Sequence, residues 1–351
     1  MVHQFKNNGY DIVLDVNSGA IHVVDDVTYD VIAMFEEHTP DEIVQQLKDQ
    51  YPEAEIKEAI DEVEQLKQNE ELFTEDVYKS HILDFKKRPT VVKALCLHIA
   101  HDCNLACKYC FAEEGEYHGR RALMSYETGK QALDFLIANS GSRKNLEVDF
   151  FGGEPLMNFD VVKQLVAYGR EQEKLHDKHF RFTLTTNGVL LNDEVMEFAN
   201  KEMDNVVLSI DGRKEVHDRM RPFRKGAGSY DLIVPKFQKL AESRNQERYY
   251  VRGTFTHYNT DFSNDVLHLA DLGFKQISVE PVVAQPSDDY ALTEEDLPVL
   301  FAEYDKLAAE MVRRKKEGRG FNFFHFMIDL EGGPCVYKRL SGCGSGTEYL
   351  A

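Results

Sequence analysis

The chain has 351 residues, 42% of them hydrophobic and 29% charged, long enough for two or three domains because single cores stop growing near roughly 250 to 300 residues. Its net charge of −20 argues against a polyanionic partner such as nucleic acid, and no apolar run approaches the length that spans a membrane. The first residues, MVHQFKNNGYDIVLD, lack the basic and apolar regions of a secretory signal, so the expected compartment is the reducing cytoplasm, where disulfides are rare.

The negative charge is concentrated at the amino end. Residues 1 to 80 hold 5 Lys or Arg against 20 Asp or Glu, a balance of −15 that marks a separate electrostatic unit. Within it, residues 3 to 25 read as three short strands with turns at Asn7-Asn8-Gly9 and Asn17-Ser18-Gly19. Three amphipathic helices are predicted next: Thr28 to Glu37, Pro40 to Tyr51 with Thr39 as N-cap, and Glu53 to Asn69, whose Ile56, Ile60, Val63 and Leu66 keep helical spacing. Residues 1–80 are therefore expected to form a small β3α3 domain. Residues 81–90, with Lys86-Lys87-Arg88-Pro89, read as a linker.

From residue 91 strands and helices alternate. Strands are predicted at 91–100, 146–153, 180–188, 205–212, 249–257 and 275–282, with helices such as Ser125 to Asn139 and Asp160 to His176 between them and a last one at Leu297 to Lys316. Six βα units over residues 91–316 predict an α/β fold with a parallel sheet, rolled or open. The chemistry is expected at the carboxyl ends of the strands. Residues 317–351, rich in aromatics and glycine, do not read as the end of a packed domain.

Directly after the first of these strands stands HDCNLACKYC, with Cys103, Cys107 and Cys110. A structural zinc site normally takes four ligands, often in pairs two residues apart, and fits this spacing poorly. Three thiolates on a four-iron cluster would leave one iron free for another ligand. Cys96 in the strand reads as a buried small hydrophobe, and His98 and His101 as structural histidines.

The CxxxCxxC form of CNLACKYC, with Tyr109 just before the third cysteine, resembles the radical S-adenosylmethionine enzymes. The resemblance implies a partial (β/α)6 TIM-like barrel. It also implies a 4Fe-4S cluster on Cys103, Cys107 and Cys110, whose free iron binds S-adenosyl-L-methionine and whose electron generates a 5′-deoxyadenosyl radical. FFGGEP places Gly152, Gly153 and Glu154 where the family's GGE motif binds the cofactor's ammonium. TTNG and SIDG offer Asn187, Ser209 and Asp211 to ribose hydroxyls, and HDRMR resembles a stretch whose last arginine, Arg221, grips the cofactor carboxylate. Arg252 and Glu280, on the fifth and sixth strands, are further candidates for cofactor binding.

Cys335 and Cys343 stand where one branch of this family carries a Cys-rich SPASM extension with auxiliary iron–sulfur clusters. Residues 317–351 then resemble the start of that extension, truncated before its remaining ligands. The acidic amino-terminal unit resembles the winged-helix-like domain with which peptide maturases bind a leader peptide by strand addition. The expected groove walls are Ala20 to Val24 and the helix Ile56 to Leu66. Taken together the chain looks closest to the maturases of peptides named SCIFF, for six cysteines in forty-five residues. This implies Cys thioether formation in a precursor peptide, with an external one-electron reductant. The alternatives are a sulfatase-maturing or carbon–carbon crosslinking radical enzyme, or a catalytically silent peptide-binding module.

Overall fold

The computed structural model describes residues 1–81, 90–327, 335, 344 and 346–351. These fall into two compact units, 1–81 with 335, and 90–327 with 344 and 346–351. Cys343 and nearly all of the expected linker lie outside the described residues.

The first unit opens with an antiparallel meander, β1 (Val2–Asn7), β2 (Tyr10–Asp15) and β3 (Ile21–Val24), in that spatial order. Helices α1 (Asp26–Met34), α2 (Pro40–Leu47) and α3 (Glu53–Gln68) follow. The first begins two residues before the expected start because the Asp25 carboxylate accepts the Thr28 N–H at 2.9 Å. Thr39 caps α2 as expected, its N–H and hydroxyl both donating to Glu42 at 2.9 Å.

One wall of the expected peptide groove is corrected here. Ile56, Ile60 and Val63 are 0 to 4% exposed and pack with Val27, Val31, Ile43 and Leu47 as the unit's own core, with Leu66 against them. A domain this small needs the apolar face of each of its helices for its core. By contrast β3 pairs only with β2 among the described residues, and Ile21 and Val23 on it are exposed. Buried Asp15 closes the unit by accepting from the N–H and hydroxyl of Thr74 at 2.9 and 2.6 Å.

The second unit is an α/β fold. In chain order it contains β4 (Ala94–His101), β5 (Ala122–Leu123), α4 (Tyr126–Asn139), β6 (Asn145–Gly152), α5 (Phe159–His176), β7 (His179–Thr186), α6 (Asp193–Glu202) and β8 (Asn205–Ser209). Next come α7 (Lys214–Met220), α8 (Tyr230–Ser243), β9 (Tyr249–Phe255), α9 (Ser263–Asp271), β10 (Gln276–Pro281), α10 (Leu297–Lys316), β11 (Asn322–Phe323) and β12 (Tyr349–Leu350). The sheet order is β11-β10-β9-β8-β7-β6-β4-β12, all parallel, with β5 antiparallel to β4. The six expected strands thus pair in sequence order, as in a partial (β/α)6 TIM-like barrel, and their carboxyl ends form one rim.

Period-two alternation splits each strand between two environments. Leu97, Phe150, Leu184, Val206 and Tyr249 are in register and buried in the hydrophobic core. Cys96, His98, Phe151, Thr185 and Ser209, an odd number of residues away along their strands, take the opposite face. Cys96 is therefore partly exposed beside the ring cluster of His98, His101 and Tyr117, where the sequence predicted a core position. The chain's end also differs from expectation: Lys93 and Ala94 N–H groups donate to Glu348 O at 2.8 and 3.1 Å, and β12 pairs with β4. Between β8 and β9 the structure has two helices. Among the described residues no helix is long and apolar enough to cross a membrane.

Candidate functional site

The loop after β4 is anchored from both sides. Asp102 accepts the Cys103 N–H at 2.9 Å and Arg224 Nη2 at 3.2 Å, and Arg224 also donates twice to Cys103 O, at 2.7 and 3.0 Å. Farther on, the N–H groups of Ala106 and Lys108 donate to Pro222 O and Met220 O, both at 2.9 Å. The segment 220–224 after α7 thus holds the cysteine loop by its backbone, leaving the side chains free to turn inward.

Inward they line one cavity of about 130 Å³, which Cys103, Cys107, Tyr109 and Cys110 share with Gly152, Gly153, Asn187 and Ser209 from the following strand ends and Arg221 from the end of α7. All three cysteines are free and partly buried. Burial and the nearby Glu154 push the Cys103 thiol up to about 12, and burial pushes Cys107 up to about 11 although Arg221 opposes it. Metal binding here must therefore displace protons, and soft thiolates are the donors that iron–sulfur clusters take. Among the described residues no three His, Cys, Asp or Glu groups converge on a single ion. A four-iron cluster spreads its thiolates over separate irons, so three thiols around a cavity fit it where they do not fit one zinc ion.

The glycines at the end of β6 are needed for a reason the sequence did not show. Gly152 has φ of +123°, and a Cβ there would lie 2.5 Å from Ala100 O; one on Gly153 would lie 2.1 Å from Asp102 O. These glycines admit the backbone of the cysteine loop, with Gly153 and Glu154 N–H groups donating to those same two carbonyls at 2.7 and 2.9 Å. Glu154 itself is fully buried and its oxygens accept from Thr186 Oγ1 (2.8 Å), Asn187 N (2.8 Å) and Leu156 N (3.1 Å). Burial pushes its carboxyl up to about 7, against those donors and Arg221. In this geometry it joins the ends of β6 and β7.

Past β8, Asp211 is the hub. Its carboxylate, fully buried, accepts from Tyr109 Oη at 2.7 Å, Arg221 Nε at 3.0 Å and Thr254 N at 3.1 Å, and Arg221 Nε also donates to Tyr109 Oη at 2.7 Å. Burial and Asp211 keep the Tyr109 phenol protonated although Arg221 pulls the other way. Arg221 Nη1 lies 4.0 Å from Cys107 Sγ. Asp211 thus orients the arginine and the aromatic residue of the cysteine loop instead of reaching the cavity.

Sequence reasoning missed the support behind this hub. The Asp211 N–H donates to His217 Nδ1 at 3.3 Å, so the ring proton sits on Nε2, which bonds Ser229 Oγ at 2.9 Å; that hydroxyl donates to Arg221 O at 2.7 Å. Burial holds fully buried His217 down to about 4. The available signal was spacing, since His217 precedes Arg221 by one helical turn. Two expected residues are elsewhere: Arg252 Nη2 and Glu280 Oε2 pair at 2.7 Å, partly exposed, and neither lines the cysteine cavity. Cys335 is exposed.

Residues 97–259 match the Radical SAM superfamily. The chain is 30% identical over 191 residues to an uncharacterized protein of Methanocaldococcus jannaschii, 26% over 184 to the radical SAM cyclopropyl synthase TigE of Paramaledivibacter caminithermalis, and 27% over 143 to a cysteine-type anaerobic sulfatase-maturating enzyme of Clostridium novyi. These alignments cover 54, 48 and 40% of this chain and 62, 38 and 37% of the relatives, so the chain spans less than two thirds of each. A solved structure of native anSMEcpe with bound AdoMet and the Kp18Cys peptide superposes with a TM-score of 0.58 at 18% identity, over 67% of this chain and 64% of that one, a likeness of fold. Residues 97–259 of the partial barrel, which carry the three cysteines, are thus a Radical SAM superfamily domain, with anaerobic sulfatase-maturating and radical SAM cyclopropyl synthase enzymes among its relatives.

Proposed function

We propose that this protein is a radical S-adenosylmethionine enzyme that forms Cys thioether crosslinks in a Cys-rich precursor peptide, as SCIFF maturases do. The observation that carries the radical part is the meeting of Cys103, Cys107 and Cys110 in one cavity with Gly152, Asn187 and Ser209 from three other strand ends and Arg221 from the end of α7. The three thiolates would hold a 4Fe-4S cluster, which when bound supplies the electron that cleaves S-adenosylmethionine reductively.

The chain's own residues bind and orient. Arg221 has its Nε committed to Asp211 and Tyr109, which fixes the guanidinium plane and leaves its Nη edge for a carboxylate. Ser209 offers a hydroxyl to a ribose. Glu154, with its carboxyl raised to about 7 by burial, gains most from a cation, since an ammonium would offset the desolvation of its charged form. For the peptide, the edge of β3 that has no strand partner among the described residues, with exposed Ile21 and Val23, suits strand addition, and the −15 balance of residues 1–80 suits a leader carrying lysines. An auxiliary cluster to which Cys335 and Cys343 would give two of the ligands, an incomplete set, belongs to this reading, as does an external one-electron reductant.

The test is anaerobic reconstitution of the chain with iron, sulfide, a reductant and S-adenosylmethionine. About four irons should load at the three-cysteine site, with deoxyadenosine formed on reduction; a loaded chain that leaves the cofactor intact sinks the proposal. Mass spectrometry of the precursor should show loss of two hydrogens with one fewer alkylatable thiol. The likeness to the Clostridium novyi sulfatase-maturating enzyme favours a second reading. Oxidation of a sulfatase-derived peptide, with a Cys-rich precursor left unchanged, would select it. A chain that binds leader without cleaving cofactor would be a peptide-binding module.

A further inference from the structure

Asn187 was expected to face a ribose, and Asn104 had no expected part. The structure ties both to the first cysteine. Asn187 Oδ1 accepts the Val189 N–H at 3.0 Å, which fixes the orientation of its amide and points Nδ2 the other way. That Nδ2 has two hydrogens and two acceptors within reach, Asn104 Oδ1 at 2.7 Å and Cys103 Sγ at 3.5 Å. Because Asn104 presents its oxygen to Asn187, its own Nδ2 faces elsewhere, buried and without a partner in the protein.

We propose that Asn187, positioned by the Asn104 oxygen, caps the sulfur ligand Cys103 with an N–H, and that this cap raises the reduction potential of the cluster bound there. This rests on the reading that the three cysteines hold a four-iron cluster. The physical basis is that an N–H donated to a ligand sulfur draws negative charge from it and favours the reduced, more negative state. The placement is asymmetric: a neutral amide faces Cys103, whereas Cys107 lies 4.0 Å from the Arg221 guanidinium.

The test uses the full chain, reconstituted anaerobically, with two neutral substitutions. Asn187→Ser keeps a hydroxyl that can accept the Val189 N–H but is too short to reach the sulfur, and Asn104→Leu removes the oxygen that positions the Asn187 amide. Iron and sulfide are measured first, then the midpoint potential by a redox titration followed by electron paramagnetic resonance, without cofactor. Both variants should load iron and titrate at a more negative potential than the wild type. An unchanged or more positive potential in a variant loaded like the wild type overturns the cap. Should the variants not fold, electron–nuclear double resonance on the reduced wild-type cluster, with 15N-labelled asparagine and exchange into D2O, decides: coupling to an asparagine amide supports the cap and its absence overturns it. A wild-type chain that takes up no iron overturns the cluster reading, and the cap with it.

Discussion

Two stretches of the same rim are built differently. The ends of β4, β6, β7 and β8 are bonded to one another: Glu154 holds Thr186 and Asn187, Asp211 holds Tyr109 and Arg221, and Arg224 holds Cys103. On β9 and β10 the side chains of Arg252, in mid-strand, and Glu280 close on each other as a partly exposed ion pair, and β9 joins the buried stretch only through the Thr254 N–H that Asp211 accepts. Such exposed pairs are worth little and organise nothing beyond themselves. A polar residue at a strand end is therefore a weak indicator. What separates the first stretch is burial, which makes every polar group there depend on a partner contributed by another strand end.

The largest test of the contrast removes a thiol. Cys103→Ala, Cys107→Ala or Cys110→Ala should each cut the iron bound after reconstitution from about four to near zero at this site, while Glu280→Gln leaves it unchanged. Iron and sulfide analysis with the visible charge-transfer absorption checks it; full loading of any single cysteine variant would remove the basis of the site. Next in size is the hub. Asp211→Asn leaves Arg221 and Tyr109 without their shared anion, so affinity for S-adenosylmethionine should fall by about 10- to 100-fold, the usual effect of a lost supporting partner. Arg252→Gln should change it less than threefold by the same calorimetric titration, and equal losses would erase the distinction.

The hub's support predicts a pH effect of definite sign. His217 is held neutral in the fold, down to about 4 from an ordinary value near 6.5. The unfolded chain then binds the extra proton first. The stability associated with neutral His217 is present above about pH 6.5 and is lost as pH falls toward 4, on the order of 3 kcal/mol in full. Buried Glu154, raised from an ordinary 4.5 to about 7, works in the opposite direction, its contribution being lost as pH rises through that range. The charged groups around His217 are Asp211, Arg221, Asp218 and Lys214. Because the two profiles overlap, the check is a difference: urea midpoints from pH 4 to 7.5 for wild type and His217→Gln. The variant should lose the part of the slope that rises with pH, and parallel curves would mean that His217 titrates alike folded and unfolded.

The same contrast explains what was legible in the sequence. The six strands of the sheet were readable because alternation and length repeat, and Cys103, Cys107 and Cys110 because three thiols in eight residues are rare. The partners were not readable. Asp211 read as a ribose ligand, since nothing in SIDG tells that its carboxylate turns toward a loop a hundred residues earlier. The glycines of GGEP read as room for a ligand when they also make room for Ala100 and Asp102. In the first unit, Ile56, Ile60 and Val63 had the spacing of an amphipathic face, but spacing does not say whether that face meets a partner or the unit's own core. The short β11 and β12 escaped notice because two residues carry no period.

The smallest effects are expected at the edge of β3, and there the comparison is between the strand's two sides. In an antiparallel pair successive N–H groups point alternately toward and away from the neighbour, so along Ile21–Val24 half donate to β2 and half face outward. A proline scan over these four residues should alternate. Where the lost N–H faces β2, the unit loses a ladder bond and its stability falls; where it faces outward, stability is kept and leader affinity drops by roughly 2- to 13-fold, the value of one hydrogen bond. Thermal unfolding and a fluorescence titration with labelled leader peptide report the two separately. If the outward positions leave affinity unchanged, the peptide does not extend this sheet, and the exposed Ile21 and Val23 serve some other contact.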